Sequence, residues 1–125
     1  MALTFFVTGT DTHVGKTFVT AALLRALNAE GLKTVGLKPL ASGCVWQEGA
    51  WQNDDALILQ QAASQFLPYA VINPIALIDP VAPHLAARKQ GQNLSLEKLV
   101  MALQPGLNVD ADVTLIEGAG GWYVP

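Results

Sequence analysis

Residues 3–17 read LTFFVTGTDTHVGKT: a short apolar run, a polar loop between two glycines, then a lysine and a threonine. Leu3 to Thr8 carries no charge and is rich in β-branched and aromatic residues, the pattern of a strand buried on both faces. Gly9 ends it. From Lys16 to Glu30, apolar Phe18, Val19, Ala22, Leu23, Ala26 and Leu27 recur at helical spacing, and Gly31 stands where a C-terminal cap glycine belongs. A strand, a glycine loop and a helix N-terminus make a phosphate site, because consecutive backbone N–H groups and the helix dipole face one anion. Gly15 allows close approach, Lys16 neutralises β/γ-phosphate charge, and the Thr17 hydroxyl suits magnesium. The spacing departs from the common phosphate loop: five residues separate Gly9 from Gly15, so Thr10 stands where the first glycine is usual.

Working outward, Thr34 to Leu40 reads as a second strand, shortened or ended by Pro39. Gly43 to Gln52 reads as a loop. Asn53, Asp54 and Asp55 offer an N-cap for a helix running to about Phe66. Pro68 to Pro83, with four prolines, is expected to be irregular, with a short strand at Ala70 to Ile72. Ser95 starts a helix to about Leu103, and Val113 to Ile116 is a third strand, expected to be central, leading into Glu117-Gly118-Ala119-Gly120-Gly121. Strand and helix alternate, so the fold class is α/β: a phosphate-loop parallel sheet with helices on both faces. The sequence stops at Pro125, just after a glycine-rich loop. Residues 1–125 are therefore expected to be the N-terminal part of a single domain truncated at its C-terminus. Such a chain should expose a sheet edge and be oligomeric, or ordered only within a longer polypeptide.

Composition excludes several classes. The chain is 51% hydrophobic and 14% charged, against a usual charged share of about 25%, which is not a disordered composition. Seven Lys plus Arg against ten Asp plus Glu, without a basic block, argue against nucleic-acid binding. No apolar run approaches the ~20 residues of a membrane span, and the N-terminus lacks the basic start of a signal peptide. The single cysteine, Cys44, cannot form an internal disulfide. A cytoplasmic location follows as the expectation.

Two further groups carry chemistry. Lys38, in KPLASG (38–43), lies at the carboxyl end of the second strand, where ligands of open α/β sheets bind, and should face the same crevice as Lys16. Glu117 ends an apolar strand, where a metal-binding acid of a phosphate-loop protein belongs; magnesium takes one or two carboxylates beside phosphate oxygens. Asp54 and Asp55 open a helix, so one of them can be a plain N-cap. His13 and His84 read as loop and turn residues, and Cys44 as structural.

With these residues in hand, the chain resembles the dethiobiotin synthetases, ATP-dependent enzymes of biotin synthesis. The resemblance runs from Phe6 to Trp122 through TGTDTHVGKT (8–17), KPLASG (38–43), NDDALILQ (53–60), VINP (71–74), APH (82–84) and EGAGGWYVP (117–125). That family shares the unusual glycine spacing. The resemblance implies ATP, 7,8-diaminopelargonate and CO₂ as substrates, Mg²⁺ as cofactor, dethiobiotin, ADP and phosphate as products, and a homodimer for the full-length protein. It assigns the amides of His13, Val14, Gly15, Lys16, Thr17 and Phe18, with Asp55, Glu117, Gly118, Ala119 and Gly120, to ATP. It gives Thr17, Asp55 and Glu117 to magnesium, Lys38 and Lys16 to catalysis, and Thr12 and Ser42 to the diamine. The family often has glutamate in place of His13 and arginine in place of Gln52, so only the backbone of His13 carries over. Adenine recognition lies in a second half of that family's chain, so the 125-residue chain is expected to be weakly active or inactive. Two other groups share the loop: corrinoid amidoligases and ATP switches of the partition type. The latter resemble each other in a second loop lysine absent here, and KPLASG and EGAGGW favour the biotin enzyme over the former.

Overall fold

The computed structural model describes residues 2–7, 14–41, 43–77 and 95–118. In chain order the elements are β1 Leu3–Val7, α1 Val14–Ala29, β2 Thr34–Leu37, β3 Leu40–Ala41, β4 Val45–Gln47, β5 Ala50–Gln52, α2 Asp54–Ala62, α3 Tyr69–Ile72, β6 Ile75–Ala76, α4 Leu96–Leu107 and β7 Val113–Glu117. The main sheet is parallel in the order β1-β7-β2. β7 is therefore central among the described strands, as expected of the third strand, and all five of its residues are buried.

Register places the site. Val7 pairs with Glu117 on one side of β7, and Leu37 pairs with Ile116 on the other. One step past the end of β2, Lys38 comes level with Glu117. The sheet delivers an acid and a base, 79 residues apart in sequence, to one carboxyl edge.

Alternation along β7 sorts the helices. Val113 and Leu115 pack with Ala21 and Leu24 of α1 and with Leu59 and Ala62 of α2. Ile116, with Val35 and Leu37 of β2, packs on the opposite side with Ile72 of α3, Ala56 and partly buried Leu103 of α4. Gly36 lets α1 and α2 close on the sheet, since a Cβ there would lie 2.9 Å from the Leu24 Cδ1 and 3.2 Å from the Leu59 Cβ. Gly36→Ala is expected to destabilise by about 1–3 kcal/mol through overpacking, read as a lower urea midpoint at unchanged slope.

Several expectations are corrected. β1 is not buried on both faces: Phe5 is 51% and Phe6 67% exposed. Among the described residues it is an edge strand, and neither core cluster reaches it. The second strand breaks after Leu37, because Pro39 has no N–H to continue the ladder, and β3 turns to pair with β6 instead. The expected loop at 43–52 holds an antiparallel hairpin, Val45 opposite Gln52 and Trp46 opposite Trp51. Glu48 and Gly49, at φ 52 and 80, make its two-residue turn. Trp46 and Trp51 meet edge to face with centroids 5.4 Å apart.

The second helix ends at Ala62, short of Phe66, and residues 69–72 form a one-turn helix rather than a strand. The fourth helix runs through Pro105 to Leu107, beyond the expected Leu103. Its last turn packs so closely on β2 that a Cβ at Gly106 would lie 2.7 Å from Leu37 atoms. Among the described residues no helix is long and apolar enough to cross a membrane.

Candidate functional site

At the carboxyl end of β7, Glu117 is almost wholly buried at 1% exposure. Its Oε1 accepts the Thr17 hydroxyl at 2.7 Å and the Lys38 ammonium at 3.1 Å. Its Oε2 is buried without a hydrogen-bond partner. Lys38 Nζ also lies 3.4 Å from the Gly118 carbonyl and 4.0 Å from Asp55 Oδ2. Three segments remote in sequence thus meet at one carboxylate. A buried charge needs such partners, because its desolvation is otherwise prohibitive.

Each side chain is held from below. Thr17 is fully buried in the first turns of α1, and in the same helix Thr20 donates to the Lys16 carbonyl at 2.8 Å. Lys16 is half-buried, while Gly15 and Phe18 are exposed. A Cβ at Gly15 would meet no atom of the described residues within 4 Å. Among the described residues, packing alone does not require a glycine there. Val14 begins the helix.

The two aspartates separate cleanly. Asn53 caps α2, its Oδ1 accepting from the Ala56 N–H at 3.1 Å, so neither aspartate is needed as a cap. Asp54 turns outward and accepts from Gln47 Nε2 at 3.4 Å. Asp55 turns inward to Lys38. Both acids complement the positive end of the helix dipole.

Lys38, Asp55, Thr17, Glu117 and Gly118 are brought together, with Lys16 one residue from Thr17. Thr12, His13, Ser42, Ala119 and Gly120 lie outside the described residues. Cys44 is buried, its Sγ 3.7 Å from the Ala41 carbonyl, and burial pushes its thiol pKa up, as befits a structural residue. Sequence reasoning passed over Tyr69 and Asn73, which hold the backbone at Lys38. Their only signal is an asparagine before Pro74 in an irregular segment, which reads as a turn.

The AAA-domain family model matches residues 3–125. The chain is 50% identical to the ATP-dependent dethiobiotin synthetase BioD of Alteromonas mediterranea over 97% of its own length and 54% of that protein's. It is 50% identical to the BioD of Marinobacter nauticus over 98% of itself and 52% of the relative. To that of Xylella fastidiosa it is 48% identical, over 97% and 53%. The chain spans about half the length of the curated relatives it matches.

Proposed function

The chain belongs to the AAA-domain family, and we propose that it carries the phosphate-transfer site of an ATP-dependent dethiobiotin synthetase. One observation carries the reading: Thr17 and Lys38 converge on one oxygen of Glu117 while the other oxygen stays buried and unpartnered. An orphaned carboxylate oxygen beside a hydroxyl and a second carboxylate fits a hard divalent cation. Among the described residues no cluster of three or more His, Cys, Asp or Glu could hold a metal without help. That suits magnesium, which arrives with nucleotide phosphates and retains several waters. Thr17, Asp55 and Glu117 would hold it, and it would supply charge neutralisation at the transferred phosphoryl group.

In the proposed reaction a neutral amine of 7,8-diaminopelargonate captures CO₂ as a carbamate. A carbamate oxygen attacks the γ-phosphorus and ADP leaves, giving a carbamic–phosphoric anhydride. The second amine then attacks the carbonyl carbon, closes the ring and expels phosphate. No covalent enzyme intermediate is needed. The work is positioning and stabilisation of developing oxyanion charge. An ammonium has three N–H donors, and Lys38 directs two, to Glu117 Oε1 and the Gly118 carbonyl. At the same edge the ammonium would also meet a phosphoryl or carbamate oxygen. Lys16, at the helix N-terminus, meets the β/γ-phosphates as a point charge. Thr12 and Ser42 are assigned to the diamine, and the backbone of residues 13–18 with Gly118, Ala119 and Gly120 to ATP. A homodimer of the whole protein belongs to the same reading.

Thermal shift tests the substrate assignment. With ATP and magnesium present, diaminopelargonate is expected to raise Tm in a concentration-dependent way, and cobyrinate is not. Stabilisation by cobyrinate alone would move the protein to the corrinoid amidoligases.

A further inference from the structure

Lys38 sits at a break. β2 ends at Leu37, Pro39 has no N–H, and β3 pairs with a different strand. What fixes the residue is the end of α3. The Lys38 N–H donates to the Ile72 carbonyl at 2.9 Å, and the Lys38 carbonyl accepts from Asn73 Nδ2 at 2.9 Å. Asn73 is 3% exposed, and the same Nδ2 also faces the carbonyls of Ile75 at 3.2 Å and Pro39 at 3.5 Å. With its amide nitrogen turned to carbonyls, its Oδ1 accepts the Tyr69 hydroxyl at 2.7 Å. The Tyr69 oxygen in turn accepts the Asn53 N–H at 2.7 Å. Asn53 is the cap of α2, two residues before Asp55.

One hydrogen-bonded line therefore joins the base of the Lys38 arm to the helix start that carries Asp55. We propose that Tyr69 and Asn73 are positioning residues that set where the Lys38 ammonium lies relative to Asp55 and Glu117. Their catalytic consequence rests on the phosphate-transfer reading above; their structural consequence does not. Burial pushes the Tyr69 phenol up to about 12, against the opposing Asn53 N–H, so the hydroxyl remains a donor to Asn73 through neutral pH.

Tyr69→Phe tests the line by deleting one oxygen and keeping the ring. Asn73→Asp is the second variant: it keeps the acceptor for Tyr69 and loses the donors to the Lys38 carbonyl. Lysine Cε atoms are labelled with ¹³C, the Lys38 resonance is identified by its absence in Lys38→Gln, and exposed Lys33 serves as the internal reference. In whichever variant retains the wild-type circular dichroism, the Lys38 resonance is expected to shift or broaden while that of Lys33 stays. In turnover, Tyr69→Phe is expected to lower kcat about tenfold with KM for ATP within about twofold, and to add no loss in a Lys38→Gln background. Unchanged Lys38 resonances in both variants would overturn the proposal. So would a Tyr69→Phe loss equally large with and without the Lys38 side chain, which marks a merely structural role. Where the wild-type chain shows no turnover, the resonance alone decides the positioning role, and the synthetase reading is judged separately by the diaminopelargonate thermal shift.

Discussion

Lys38→Met is expected to cost about 3–5 kcal/mol of folding stability and to remove phosphoryl transfer. The Lys38 and Glu117 side chains are 7% and 1% exposed, 3.1 Å apart. Removing the cation leaves a buried carboxylate with the Thr17 hydroxyl on one oxygen and nothing on the other. Breaking one side of a buried pair costs more than the pair contributes, because the remaining charge still has to be desolvated. Adding Glu117→Gln to Lys38→Met removes that charge and keeps an acceptor for Thr17, so urea unfolding should show most of the stability restored. Turnover should remain absent in both variants. Recovery of stability without recovery of activity would show that the ion pair is retained for chemistry rather than for the fold.

Lys16→Ala should behave in the opposite way. Lys16 is half-buried in the first turn of α1, and alanine is a good helix residue. Stability is expected to change by about 1 kcal/mol or less. Its ammonium would act on charge that develops between the β- and γ-phosphates, so kcat is expected to fall by about 10²–10³ in single-turnover ATP cleavage. An unchanged rate would reject the phosphate-loop assignment of Gly15-Lys16-Thr17.

Much of this architecture is legible from residue pattern. The third strand, Val113 to Ile116, is central as such sheets lead one to expect, and Gly15-Lys16-Thr17 marks the start of α1. The apolar stripe read along that helix is corrected, since Phe18, Val19 and Leu23 are exposed while Ala21 and Leu24 face the core. Glu117 and Lys38 follow from the rule that α/β sheets act at their carboxyl edge. Other parts are not legible, for physical reasons. The β4–β5 turn uses Glu48-Gly49, and the glutamate at positive φ is a weaker hairpin signal than Asn-Gly. Phe5 and Phe6 look like core residues, yet their strand stands at the edge of the described sheet. Asn73 shows in the sequence only within VINP (71–74), with nothing to mark a role for its side chain, which arises when the chain brings residue 73 back beside residue 38. Residue pattern alone does not separate Asp54 from Asp55, which the resemblance does; in the structure Asn53 takes the cap and Asp55 turns to Lys38.

On the proposed reading, Lys16, Thr17, Asp55 and Glu117 form one magnesium–nucleotide site. Calorimetric titration of the chain with ATP, with and without Mg²⁺, tests it most directly when repeated on Lys16→Ala and Glu117→Gln. Binding is expected to require magnesium and to be lost or at least tenfold weaker in both variants, about 1.4 kcal/mol or more each. Equal affinity with and without magnesium, unaffected by Glu117→Gln, would contradict it.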